Sequence, residues 1–152
     1  ISTEYLKVKK MIHEHRGLLL HLRLKDYLLE SNFGIPSETY YQCALDQIKL
    51  LRKFDVLWIV SDDIELAKFH IEGLSTQLKL HYFDYPGLND VQVWDLLREF
   101  SGYIISNSSF CWWSAYLRRD KSAPVFAPKP WFLGMSDPKH LVPPEWNMVN
   151  SL

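Results

Sequence analysis

The chain has 152 residues, enough to bury a core as a single domain, and its 47% hydrophobic and 23% charged residues make an ordinary globular composition. A net charge of −1 leaves no electrostatic footprint for nucleic acid or an anionic membrane surface. No apolar run approaches the ~18 residues of a membrane span, since the longest candidate, Gly17 to Leu20, runs into His21, and no stretch reads as a signal peptide.

The chain opens on Ile1 rather than Met, and its first ten residues read as the middle of a helix, so a piece of a longer chain is expected. Residues 3–15 are predicted helical and Gly17 stops them. Gly17 to Arg23 is a buried strand, apolar on both faces until its end. Lys25-Asp26-Tyr27 leaves the sheet and residues 28–36 form a loop. Ser37 is a plausible N-cap for a helix whose apolar face carries Tyr41, Ala44, Leu45, Ile48 and Leu51. Phe54 to Val60 is a second buried strand ending in Ser61-Asp62-Asp63, and Ile64 to Glu72 is a short helix. Lys79 to Phe83 is a third strand, and 84–87 is a turn. Asn89 or Asp90 caps a helix carrying Val91, Trp94, Leu96 and Leu97. Gly102 to Ile105 is a fourth strand, Phe110 to Arg118 a helix and Pro124 to Ala127 a fifth strand, followed by a Pro-rich tail. Strands alternating with helices, over connections long enough for crossovers, predict one α/β domain: a parallel sheet with helices on both faces.

Ligands of such sheets bind beyond the carboxyl ends of the strands. Three strands end there in polar clusters: His21/Arg23/Asp26, Ser61/Asp62/Asp63 and Asn107/Ser108/Ser109. The last is the most informative. A strand that ends in Asn-Ser-Ser and turns into a helix at Phe110 offers hydroxyls and free N–H groups to a phosphate. His21 and Arg23, two apart, point to one face of a strand. Arg23 is suited to a diphosphate by paired hydrogen bonds, or else to a structural ion pair with Asp26 or Asp62. His21 is read either as a ligand contact or as a satisfied buried histidine. Of Asp62 and Asp63, one is read as accepting from a base or ribose and the other as an N-cap. A metal site is disfavoured, because adjacent residues diverge and only Glu65 lies nearby in sequence. Neither a G-x-G-x-x-G nor a P-loop nor a G-x-S-x-G elbow occurs, which argues against dinucleotide, P-loop and serine-hydrolase chemistry. Cys43 and Cys111 lack metal spacing and are read as reduced, buried residues, and Trp58, Trp94, Trp112 and Trp113 as core.

In order along the chain stand His21-Leu22-Arg23-Leu24-Lys25-Asp26-Tyr27, Tyr40-Tyr41, Ser61-Asp62-Asp63, Asn107-Ser108-Ser109-Phe110-Cys111-Trp112-Trp113, Ala127 to Phe132 and Pro144-Glu145-Trp146. On these residues the chain resembles the catalytic C-terminal part of the alpha-1,2-fucosyltransferases, glycosyltransferase family eleven, from Leu18 to about Trp146. Lys25 stands where that family usually has glycine, and Cys111 where it has serine. The resemblance implies a Rossmann-like C-terminal donor domain, one half of a GT-B enzyme, with an N-terminal acceptor domain missing from these residues. It implies inverting, metal-independent transfer of L-fucose from GDP-fucose to a galactoside hydroxyl in alpha-1,2 linkage, with no cofactor. The isolated fragment is expected to be inactive. By the same resemblance, Arg23 with Ser108, Ser109, Phe110 and their helix dipole holds the diphosphate as it gains charge, and Asp26 orients Arg23 or faces the fucose. His21 with Ser61 and Asp62 or Asp63 contacts the guanosine, and Asn107 belongs to the same wall. Alternatives are a nucleotide-binding module without catalysis or an enzyme using another nucleotide sugar. Membrane association is expected to be peripheral at most, with a cytoplasmic location favoured for a bacterial protein and the Golgi lumen for a eukaryotic one.

Overall fold

The structure, a computed structural model, describes residues 1–152. Its elements run α1 (Thr3–Glu14), β1 (Gly17–Leu22), α2 (Glu38–Ile48), β2 (Val56–Ser61), α3 (Ile64–His70), β3 (Lys79–Tyr82), α4 (Asp90–Leu97), β4 (Gly102–Ile104), α5 (Ser109–Tyr116), β5 (Val125–Lys129) and β6 (Asn147–Asn150), with one 3-10 turn over Tyr27–Leu29. All strand pairs are parallel, in the order β3-β2-β1-β4-β5-β6. This is the order of a doubly wound Rossmann sheet.

The order follows from chain direction. From β1 the strands advance to β2 and β3; the next strand, β4, returns to the other side of β1, and β5 and β6 continue outward. Right-handed crossovers in opposite directions put their helices on opposite faces. Accordingly α1, α4 and α5 cover one face, and α2 and α3 the other. Each face has its own core. Leu19, Trp58, Tyr103 and Phe100 meet the first set of helices, while Leu18, Leu20, Leu57 and Ile59 meet the second. The alternation along β1 therefore turns His21 toward the face of Leu19 and α5.

The caps act where the sequence puts them. Ser2, Ser37, Asp63 and Asn89 accept from the backbone N–H of Tyr5, Tyr40, Leu66 and Gln92, and Gln92 completes a capping box with Asn89. Five sequence expectations are corrected. A sixth strand lies in the tail, where only Val149 of β6 is buried, so no apolar pattern announces it. Leu51 lies beyond the end of α2 and is exposed. Cys43 is exposed, off the buried stripe of Tyr40, Tyr41, Ala44, Leu45 and Ile48. Trp113 is 51% exposed, and Trp94 and Trp112 are only half-buried, so of the four tryptophans read as core Trp58 alone is fully in it, with Trp112 packed against its edge. The last helix begins at Ser109 rather than Phe110.

Tyr40 and Tyr41, both fully buried, tie α2 to the carboxyl ends of the central strands. The Tyr40 hydroxyl donates to the Ile105 carbonyl at 2.6 Å and sits 3.3 Å from that of Phe126, while the Tyr41 hydroxyl donates to the His21 carbonyl at 3.0 Å. Tyr40→Phe should leave the Ile105 carbonyl without that donor and lower stability by about 1–3 kcal/mol. An unchanged urea midpoint would contradict the role given to this bond.

Candidate functional site: the crevice where β1 and β4 part

At the carboxyl edge, the chain leaves β1 toward α2 on one face and leaves β4 toward α5 on the other, which opens a crevice between them. His21 and Ser106 bridge its floor: Nδ1 of His21 and Oγ of Ser106 share a 2.9 Å hydrogen bond, and both residues are buried. Burial pushes His21 down to about 4, with the Arg23 charge acting the same way and Asp62 opposing it. The imidazole is therefore neutral at ordinary pH. Cys111 lies under the turn, its thiol directed to the Ser106 and Ser108 carbonyls at 3.5 and 3.2 Å, and burial pushes it up to about 11. It is a structural thiol.

Arg23 lies just past the end of β1, with its side chain 36% exposed. Its Nε and Nη2 donate to the two oxygens of Asp26 at 2.9 and 3.0 Å, and its Nε is 3.7 Å from Asp62. The hydrogen bond to Asp26 raises the Arg23 pKa and lowers that of Asp26. The remaining N–H groups of the guanidinium are free for an anion. Asp62 braces the loop that carries Arg23: its two oxygens accept from the N–H groups of Leu24 and Lys25, each at 2.9 Å. Lys25, where the family resemblance leads one to expect glycine, has no positive φ, so its side chain fits without backbone strain. Asp63 caps α3, and Ser61 Oγ accepts from the Asp63 N–H.

Across the crevice, α5 is the one α-helix whose cap residue makes no side-chain bond to its first turn. Ser108 occupies that N-cap and is buried; its carbonyl accepts from Trp112 at 3.0 Å. The N–H groups of the first turn thus keep their hydrogen-bonding capacity, and the helix dipole adds partial positive charge. Asn107 is a clamp. Its Nδ2 donates to the Phe33 and Gly34 carbonyls at 2.9 and 3.0 Å, and the Tyr27 hydroxyl donates to its carbonyl at 3.2 Å. Gly34 has φ +68°, and a Cβ there would meet Leu133 at 2.5 Å, so the clamped loop needs glycine.

The fold gathers most of the sequence-predicted residues. His21, Arg23, Ser61, Asp62, Asp63 and Phe110 line one cavity of about 660 Å³. Asn107 and Ser109 line a neighbouring one of about 380 Å³. Asp26 reaches this edge only through Arg23, and Ser108 lies beneath it. Sequence reasoning found only Glu65 of the third wall of the larger cavity and missed the rest: Tyr82, Asp84 and Tyr85 at the end of β3, Lys68 on α3 and Asp90 on α4. The rule that chemistry gathers at strand ends, applied to the 84–87 turn, would have found part of it. The expectation of no further carboxylates near Asp62 and Asp63 is corrected too, because folding brings Asp84 and Asp90 into the same cavity. These side chains do not form a metal-ligand group. The cavity is acidic except at Arg23 and at Lys68, which pairs with Glu65 at 3.2 Å. An anion is therefore favoured only on the Arg23 and α5 side, and hydrogen-bond donors on the β2–β3 side.

Fold and site together define a doubly wound α/β domain with a polar crevice at its switch point. The chain belongs to glycosyltransferase family 11, whose description, Glycosyl transferase family 11, it matches over residues 6–150. It is similar to the alpha-1,2-colitosyltransferase of Escherichia coli, 29% identical over 139 residues, covering 87% of this chain and 47% of that protein. It is also similar to the O-antigen biosynthesis glycosyltransferase WbnK of Escherichia coli, 28% identical over 138 residues, covering 86% of this chain and 44% of that protein. The chain spans about half the length of these curated relatives. No solved structure matches it. No helix is long and apolar enough to cross a membrane.

Neutral burial of His21 has a pH consequence. Its folded pKa of about 4 lies below the unfolded value of ~6.5, so as pH falls the unfolded chain takes the proton first. The stability is fully present above ~6.5 and is lost as pH falls toward about 4, by on the order of 3 kcal/mol. His81, also lowered by burial, acts in the same direction. Urea midpoints from pH 7 to 4.5 should therefore fall more steeply for the wild type than for His21→Gln. Parallel curves would show that His21 does not titrate in this way.

Proposed function

We propose that this chain is the donor-binding half of a GT-B glycosyltransferase that transfers L-fucose from GDP-fucose to a galactoside hydroxyl, in alpha-1,2 linkage and with inversion. The observation that carries the reading is the pairing of Arg23 with the uncapped N-terminus of α5 on opposite sides of one crevice. As the bond from the sugar C1 to the diphosphate oxygen breaks, its electron pair goes to GDP and the sugar becomes oxocarbenium-like. Fixed donors that strengthen on the departing charge lower the barrier. Arg23, the Ser109 hydroxyl and the first-turn N–H groups of α5 supply such donors, without a metal ion in this reading. The acceptor hydroxyl attacks C1 from the opposite face. Asp26 is a positioning residue that holds the guanidinium. The base pocket is the acidic side of the larger cavity. Guanine presents its N1–H and amino group side by side, and a carboxylate such as Asp84 can accept both. Asp62 and Asp63, already engaged with backbone N–H groups, serve the loop and the helix first.

In this reading, the acceptor side and the general base belong to the remainder of a longer protein, consistent with relatives about twice this length. The acceptor is a glycan of the O-antigen type, as the name of one relative suggests. A colitosyl donor is the second reading, favoured by the similarity to a colitosyltransferase. A cytoplasmic or membrane-peripheral location accompanies either.

The test uses the full-length protein. GDP should bind equally well with and without EDTA, and Arg23→Ala should weaken it at least tenfold and lower turnover by about 10²–10³. The Arg23–Asp26 pair is exposed, so its loss should not unfold the domain. Affinity and turnover both unchanged would refute the diphosphate role. GDP binding with no fucosylated or colitosylated product from any galactoside would favour a module without catalysis.

A further inference from the structure

Taken as a whole, a net charge of −1 offers an anionic membrane nothing, but the charge is unevenly placed. The carboxyl edge of the sheet is acidic: Asp62, Asp63, Glu65, Asp84 and Asp90 line its larger cavity, against Arg23 and Lys68. The amino edge carries cations. Arg16 precedes β1, Lys49, Arg52 and Lys53 lie between α2 and β2, Lys79 opens β3 and Lys121 precedes β5. Arg16, Lys49, Arg52 and Lys53 converge on one cavity of about 910 Å³, with Asp46 and Asp55 beside them.

Part of this charge is neutralised locally. Arg16 pairs with Asp55 at 3.2 Å, Lys49 with Asp46 at 3.3 Å and Arg52 with Asp120 at 2.7 Å. Lys53 and Lys79 are exposed and make no ion pair, and Lys121 reaches only the Tyr116 carbonyl, at 3.5 Å. Among these cations stands an exposed apolar pair. Lys49-Leu50-Leu51-Arg52-Lys53 follows α2 as a turn, and Leu50 and Leu51 are 81% and 60% exposed. The buried stripe of α2 ends at Ile48, so both leucines lie beyond the core. A single exposed leucine is ordinary, but a consecutive pair flanked by lysine and arginine serves no packing in this domain. By contrast, the exposed Trp113 belongs to the aromatic cavity beside α5, which Tyr27, Phe33, Trp131 and Phe132 also line, at the opposite edge of the sheet.

We propose that the amino edge of the sheet docks on an anionic lipid bilayer surface, Leu50 and Leu51 entering the boundary between headgroups and acyl chains while the surrounding cations meet lipid phosphates. The proposal is independent of the donor chemistry above. Charge complementarity selects the occupant. Apolar side chains ringed by lysine and arginine are the makings of an interfacial anchor, in which the apolar area inserts and each cation adds attraction to the anionic surface. No helix able to span the bilayer is needed for contact of this kind. The acidic carboxyl edge is repelled by the same surface, so charge also fixes the orientation. The strands then point away from the lipid. At about 3.3 Å per residue, the six residues of β1 hold the crevice about 20 Å from the surface, open to water. An anchor this small makes the contact reversible.

The probes are vesicles of phosphatidylcholine, alone or mixed with phosphatidylglycerol, sedimented with the full-length protein. Binding should be about tenfold stronger to the vesicles holding phosphatidylglycerol and should weaken as salt rises. Leu50→Gln combined with Leu51→Gln should lower it about tenfold or more, and Lys53→Gln about fivefold. All three side chains are exposed, so both variants should keep the wild-type urea midpoint. No binding to either vesicle, or equal binding to both, would overturn the proposal. Binding undiminished in both variants would place the lipid contact elsewhere on the longer protein and overturn it as well. A lowered midpoint in the leucine variant would show that protein rather than lipid covers the pair, which equally overturns the docking surface.

Discussion

The carboxyl ends of β1 and β4 are adjacent strands whose continuations must go to opposite faces of the sheet. That divergence leaves backbone groups at both strand ends without a sheet partner, and buried polar groups must be satisfied elsewhere. Tyr40, Tyr41, His21 and Ser106 do this. The two phenols reach the Ile105 and His21 carbonyls from α2, and the His21–Ser106 bond joins the strand ends directly. With these in place the crevice is open while its floor residues stay buried and hydrogen-bonded. The groups proposed to hold the donor flank that floor: the Arg23 loop on one side and the first turn of α5 on the other.

Charge is distributed over this edge with a purpose that pairwise contacts do not reveal. Asp62 is drawn off by two backbone N–H groups and Asp63 by the start of α3, so both carboxylates stabilise local backbone. Asp26 orients the guanidinium without enclosing it. His21 stays neutral because burial outweighs the nearby Asp62. Positive charge without a matching wall of acids is thereby left at Arg23 and the N-terminus of α5, while on the opposite wall Lys68 is paired with Glu65 among further carboxylates.

Much of this was legible because period and punctuation agree with the fold. The buried runs at 18–20 and 57–60, the Ser37 and Asn89 caps and the Asn107 to Phe110 turn are local signals, and each element stands within a few residues of its expected place. β6 was not legible, because a four-residue edge strand with a single buried side chain has no pattern to read. Trp112 and Trp113 both read as core, but adjacent residues on a helix point about 100° apart. One tryptophan bonds Leu141 and the other faces outward. The aromatic cavity was invisible for a different reason: its lining comes from the 27–33 loop, α5 and the 131–141 segment.

The sequence by itself determined the α/β class, the strand ends that carry the polar clusters and the family to which those motifs belong. These are properties of short segments, set by side-chain spacing and turn residues. Tertiary structure alone decided what each polar group is free to do. Of the acids near Arg23, one orients it, one braces a loop and one caps a helix, and Asp84 and Asp90 join them from far along the chain. Hydrogen-bond commitment and burial are set by neighbours in space, which only the closed sheet and its two helical layers bring together.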